Sequence, residues 1–169
     1  MPQIHLIEGP VGAGKSTFAR QLSQQHRAPH LNLDEWMANL FQADRPVVGR
    51  IEWYIERKDR CIQQIWQVAC AILAAGSDVI LELGLIQRHA RQAFYKRLDE
   101  AEHKLTLYVL DAPKEVRRAR VQARDFEKGT TYSMDVPDDI FEIASNMWEA
   151  PDDIECSERE VEFLTTVDE

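Results

Sequence analysis

The stretch Gly9-Pro10-Val11-Gly12-Ala13-Gly14-Lys15-Ser16 constrains this chain more than any other. It follows an apolar segment with Ile4, Leu6 and Ile7 and precedes a segment of helical character, so it reads GxxxxGK[ST] in a strand–loop–helix setting. Glycines there let backbone N–H groups curl toward phosphate oxygens where a Cβ would intrude. The N-terminus of the following helix adds its positive dipole end. Lys15 is suited to reach the β- and γ-phosphates, and the Ser16 hydroxyl to ligate Mg²⁺. Gly9, Gly12, Ala13, Gly14 and Thr17 complete the expected nucleotide cradle. The competing reading is a glycine turn that binds nothing, and the strand–loop–helix setting argues against it.

Around this loop the sequence alternates between strand and helix signals. Strands are predicted over residues 3–8, 29–33, 78–83, 105–110 and 160–165. Helices are predicted over 15–25, 34–41, 50–75, 88–101, 113–124 and 138–148, with an exposed loop over 125–137. Such alternation implies a parallel sheet covered on both faces, a three-layer α/β/α fold with five strands. Ligands in such sheets bind at the carboxyl ends of the strands. The 169 residues suit one domain over 1–169. No apolar run is long enough to span a membrane, and the start lacks the basic and apolar segments of a signal peptide. Cys61, Cys70 and Cys156 form no CxxC pair, so a reducing, cytoplasmic setting is expected. The five histidines show no metal-ligand spacing and read as surface or packed residues.

Charge is unevenly spread. Residues 135–169 hold 13 acids and one base, whereas residues 1–134 hold 16 acids and 19 bases. A net charge of −9 argues against a long nucleic-acid track, which needs a cationic surface. It leaves room for a small anionic substrate at a local cationic site.

Several charged positions fall where the ligand should lie. Asp34 follows the second strand and has two readings: a base for a substrate hydroxyl, or a helix N-cap. Glu82 closes an apolar strand, where a lone carboxylate is costly unless paired or near a metal, so it is a candidate Mg²⁺ partner of Ser16. A salt bridge is the alternative for Glu82. On a helical wheel of residues 50–75, Ile51, Ile55, Ile62, Ile65, Trp66, Ala69 and Leu73 share the expected core face. Arg50, Trp53, Arg57 and Arg60 share the opposite face, either a site for an anionic or planar substrate or a solvated surface. Arg117, Arg120 and Arg124 share a face beside Lys128-Gly129-Thr130-Thr131-Tyr132, and a lid over about 120–137 is expected to close over the nucleotide.

Taken together these residues resemble the P-loop kinase superfamily, in the branch of shikimate kinase, gluconate kinase, chloramphenicol phosphotransferase and the zeta toxins. The chain is most similar to small bacterial proteins labelled AAA-family ATPase or zeta-toxin-like. The resemblance runs from Gly9 to about Pro151 and implies a sheet order of 2-3-1-4-5. It implies that Asp34 binds or activates the acceptor hydroxyl, and that Arg120 and Arg124, as an R-x-x-x-R pair, contact the nucleotide. It further implies that Arg57 or Arg60 grips an anionic group of the substrate, and that the loop ending in Arg88 contacts it too. One departure is Glu82, where many members carry Asp. ATP is the implied nucleotide, and no Asn-Lys-x-Asp guanine-reading motif opposes it. The function expected is transfer of the γ-phosphate of Mg-ATP to a hydroxyl of a small molecule. A nucleotide-dependent switch and a nucleic-acid end kinase are the alternatives.

Overall fold

The computed structural model describes residues 1–129 and 135–166. Strands β1 (Ile4–Glu8), β2 (His30–Asn32), β3 (Val79–Glu82), β4 (Leu105–Asp111) and β5 (Glu160–Thr165) form one sheet. Every pairing is parallel, and the order is β2-β3-β1-β4-β5, as the resemblance implied. The helices are α1 (Lys15–His26), α2 (Leu33–Phe41), α3 (Arg50–Ala74), α4 (Arg88–Glu100), α5 (Lys114–Glu127), α6 (Asp138–Met147) and α7 (Asp153–Glu158). None of them is long and apolar enough to cross a membrane.

β1 is the central strand, and all five of its residues are buried. Its side chains alternate between two cores, as the pleat requires. Ile4 and Leu6 join the larger core with Ile65, Ala69, Phe94 and Leu98. Ile7 joins the smaller core with Ala19, Leu22, Tyr108 and Leu110. A strand buried on both faces reads as a near-continuous apolar run, complete over Val79–Leu81 of β3 and broken in β1 only by His5 and the terminal Glu8.

The wheel drawn for residues 50–75 fails in its first turns. Ile51 and Ile55 are 72% and 48% exposed, while Trp53, Tyr54, Arg57 and Lys58 are half-buried. The fully buried stripe begins at Cys61 and continues through Ile65, Ala69 and Leu73. Length explains this. A helix of 25 residues runs about 37 Å, whereas a strand of five to seven residues runs about 17–23 Å. The surplus turns of α3 have no sheet beneath them and pack against α2 instead. At the other end of the chain, α5 runs on to Glu127, so the expected loop over 125–137 starts later. Thr130, Thr131 and Tyr132 of the expected lid lie outside the described residues.

The acidic C-terminal part packs on the body through buried charge, and α7 was not foreseen. Arg91 is fully buried in α4. Its guanidinium donates to Glu155 Oε1 at 2.7 Å and Oε2 at 3.2 Å, to the carbonyl of Leu85 at 3.0 Å and to that of Glu149 at 2.7 Å. Tyr95 Oη also donates to Glu155 Oε1, at 2.6 Å. Further out, Arg118 pairs with Asp138 and Glu142, and Arg159 pairs with Asp99. Burying a charge is costly unless it is paired, and removing one partner leaves the other stranded. Arg91→Ala should therefore cost about 3–5 kcal/mol of stability. Urea unfolding of the variant should show a midpoint lowered to match, and an unchanged midpoint would mean that the buried network is dispensable.

Candidate nucleotide and acceptor site

The carboxyl ends of the strands gather the site. Glu8, Asn32, Glu82 and Asp111 end β1, β2, β3 and β4, and the phosphate loop springs from the first of them. The loop is pressed against its neighbours. A Cβ on Gly9 would lie 2.2 Å from the carbonyl oxygen of Leu110, and one on Gly12 would lie 2.6 Å from that of Arg117. Gly12 also has φ +80°, a conformation that L side chains rarely adopt. From the other side, Arg117 Nη1 donates to the carbonyl of Val11 at 3.0 Å. Arg120 Nη1 donates to Thr166 Oγ1 at 2.8 Å and to the carbonyl of Gly12 at 3.3 Å. Thr166 Oγ1 in turn donates to the carbonyl of Ala13 at 2.7 Å. The carbonyls of Val11, Gly12 and Ala13 are thus taken up by α5 and the residue after β5.

Lys15 lies in the mouth of the loop, its Nζ donating to the carbonyls of Gly9 and Pro10 at 2.9 and 3.0 Å. Ser16 Oγ donates to Glu82 Oε1 at 2.8 Å, and His30 Nε2 lies 3.0 Å from Glu82 Oε2. Both carboxylate oxygens of Glu82 are therefore fixed, one by the loop and one by β2. A hydroxyl and a carboxylate oxygen side by side are hard donors of the kind Mg²⁺ takes, so Ser16 and Glu82 fit that ion, directly or through water.

Asp34 is not the helix cap. Asn32 is the N-cap of α2, and its side chain accepts from the N–H of Asp34 at 2.9 Å. The capping reading of Asp34 is removed, and its carboxylate makes no hydrogen bond or ion pair among the described residues. The residue is exposed, yet close enough to Glu82, Lys15, Arg124 and Lys58 to interact with them electrostatically. The surrounding protein raises its pKa and so does the Glu82 carboxylate, against Lys15, Arg124 and Lys58.

Comparison with known proteins agrees with this geometry. The AAA domain family (AAA_33) matches residues 4–146. The chain belongs to that family. Shikimate kinase from Haemophilus influenzae is 31% identical over 78 residues, which cover 44% of this chain and 43% of the relative. The match thus spans under half the length of that relative. A gluconokinase from Sinorhizobium meliloti has the same fold at a TM-score of 0.59 and 18% identity, covering 99% of this chain and 85% of the other. A chain of an RNA repair complex aligns at a TM-score of 0.66 and 22% identity, covering 86% of this chain and 43% of the other.

The remaining candidates separate into two groups. Arg124 lies close enough to Lys15 and Asp34 to act on both electrostatically, and its Nε is buried without a hydrogen-bond partner. Thr17 is exposed at the start of α1. The α3 groups that act on, or feel, the charge of Asp34 are Lys58 and Tyr54. Trp53 and Arg57 form a neighbouring stack instead, the guanidinium 4.6 Å from the indole centroid and 5.9 Å from that of Phe41. Arg60 is 63% exposed and pairs with Glu56, and Arg88 pairs with Asp152 at 3.4 Å. Arg50 donates to the carbonyl of Pro46. The sequence did not single out Tyr54, Lys58, His30 and Glu8, and it placed Arg117 over the nucleotide, whereas its guanidinium holds the loop from outside at the carbonyl of Val11. Tyr54 and Lys58 each follow a predicted residue by one position, and only the packing of α2 on α3 selects that face. His30 meets Glu82 because β2 lies next to β3, where Asn32 aligns with Glu82.

Glu8 is the most unusual of these. It is fully buried, and neither carboxylate oxygen has a hydrogen-bond partner. Burial pushes its pKa from 4.5 up to about 8, with Lys15, Arg91 and the nearby backbone N–H of Leu85, which falls short of a full hydrogen bond, pulling the other way. The sign for stability follows. Between 4.5 and about 8 the folded chain holds a proton that the unfolded chain has released. Stability from this group is therefore full at low pH and falls as pH rises through that window, by at most about 1.4 kcal/mol per pH unit. Glu8→Gln removes the titrating group. Thermal melts from pH 5 to 9 should show the wild type losing ground to this variant as pH rises, and parallel curves would mean that Glu8 stays charged.

Proposed function

We propose that this protein is an ATP-dependent phosphotransferase that moves a γ-phosphoryl group to a hydroxyl of a small anionic molecule. The observation that carries this reading is the carboxylate of Asp34, freed from capping by Asn32 and close enough to Lys15 to feel its charge. A carboxylate there can accept the proton of the acceptor hydroxyl as its oxygen bonds to phosphorus and the bond to the β-phosphate oxygen breaks, leaving ADP. A raised pKa makes that carboxylate a better base. Lys15 and Arg124 face the same space with positive charge suited to the phosphates, and Arg120 steadies the loop. Mg²⁺, held by Ser16 with Glu82 behind it, would neutralise phosphate charge when bound. Lys58, with Arg57 and Trp53 beside it, is the cationic and aromatic wall from which an anionic acceptor would be gripped. Likeness to a shikimate kinase and a gluconokinase supports a small, hydroxylated, anionic acceptor.

Asp34→Asn should leave ATP affinity within about twofold and lower phosphotransfer by about 10²–10⁴. The check is transfer of label from γ-labelled ATP into a metabolite extract, read by mass spectrometry, with ATP binding followed in parallel. A labelled product that persists in the variant removes Asp34 from the reaction. Hydrolysis that needs no acceptor, in wild type and variant alike, would favour the nucleotide-dependent switch.

A further inference from the structure

At the opposite, amino edge of the sheet the fold gathers three groups that the proposed reaction does not use. His5 is buried in β1, His26 is the last residue of α1, and Asp78 precedes β3. Asp78 Oδ2 lies 2.9 Å from His5 Nε2 and 3.5 Å from His26 Nδ1. One donor atom from each residue falls within 4.8 Å of the other two. The imidazole rings lie 4.3 Å apart, centroid to centroid. We propose that His5, His26 and Asp78 form a binding site for a Zn²⁺-class divalent cation.

The donor set suits such an ion. Two imidazole nitrogens and one carboxylate oxygen are the borderline ligands that zinc takes, and a water completes four-coordination. Two bonds of about 2.0–2.1 Å at a tetrahedral angle set donor atoms roughly 3.4 Å apart, against the 2.9 and 3.5 Å that separate Asp78 Oδ2 from the two imidazoles. The outer contacts are also those of a metal site. The second oxygen of Asp78, Oδ1, accepts from the N–H of Gln3 at 2.9 Å, leaving Oδ2 turned to the histidines. The second nitrogen of His5, Nδ1, lies 3.2 Å from Tyr108 Oη. A ring N–H donated to that hydroxyl frees Nε2 to ligate, the usual way in which a ligating histidine is oriented. Without a cation, the hydrogen bond between His5 Nε2 and Asp78 occupies the same position. The surroundings are acidic too, since Glu160 and Glu162 of β5 act electrostatically on Tyr108. A bound cation would tie the far end of α1 to β1 and β3, and α1 begins at the phosphate loop.

The test is titration of the full chain with ZnCl₂ by calorimetry, with Mg²⁺ in excess to occupy hard-oxygen sites. Thermal melts and NMR of the histidine rings run alongside. His26→Ala removes a half-exposed ligand at a helix end, and its metal-free melt checks that it still folds. His89→Ala, which removes an exposed histidine elsewhere, is the control. The wild type and the control should bind one equivalent, with ring shifts at His5 and His26 and a melting point that rises with zinc. In His26→Ala the affinity should fall at least tenfold and the rise should vanish. Equal zinc affinity in wild type and His26→Ala would overturn the proposal, because the ion would then sit on the cysteines or elsewhere. Absence of binding at millimolar zinc would overturn it as well, leaving a hydrogen-bonded cluster only.

Discussion

The loop Gly9–Ser16 takes its shape because two stretches of backbone come closer to it than any side chain would permit. Gly9 meets the end of β4, and Gly12 meets the backbone of α5 at Arg117. A Cβ at either place would collide with a carbonyl oxygen, which cannot move aside as a flexible side chain can. The close approach lets Arg117 and Arg120 take up loop carbonyls from outside. The carbonyls of Val11, Gly12 and Ala13 are held from outside, while those of Gly9 and Pro10 turn to Lys15, which ties the lysine to the loop. The helix that carries Arg117, Arg120 and Arg124 is therefore part of the loop's own support.

Charge is distributed on the same plan. Five ionisable side chains, Glu8, Lys15, Asp34, Glu82 and Arg124, interact across the cleft. Only Glu82 has both oxygens fixed, between Ser16 and His30. Asp34 is left without a partner and Glu8 is buried without one, and each has its pKa raised. A carboxyl without a partner near a phosphate loop is costly to ionise, which is why both have raised pKa values. A nucleotide and a cation would alter that balance, which is why such groups cluster where ligands bind rather than in the core. The acidic C-terminal part follows the opposite rule, since Glu155, Glu142 and Asp138 are all paired with arginines of the body.

The sequence by itself determined the phosphate loop, the alternation of strand and helix, and the identity of most buried strands. Each of these is written locally: glycine spacing, an apolar run of strand length, a proline or glycine at an element's end. β5 at Glu160–Thr165 and the reach of α3 were legible for the same reason. Tertiary structure decided what depends on neighbours. Whether Asp34 caps a helix turned on Asn32 two residues earlier taking that place. Which face of α3 meets the cleft turned on its length exceeding that of the sheet, so Tyr54 and Lys58 rather than Arg60 lie near Asp34. The pairing of Arg91 with Glu155, and of His5 and His26 with Asp78, joins residues far apart in the chain. Sequence spacing carries local periodicity, and contacts across the sheet exist only once strand order has fixed which segments are neighbours.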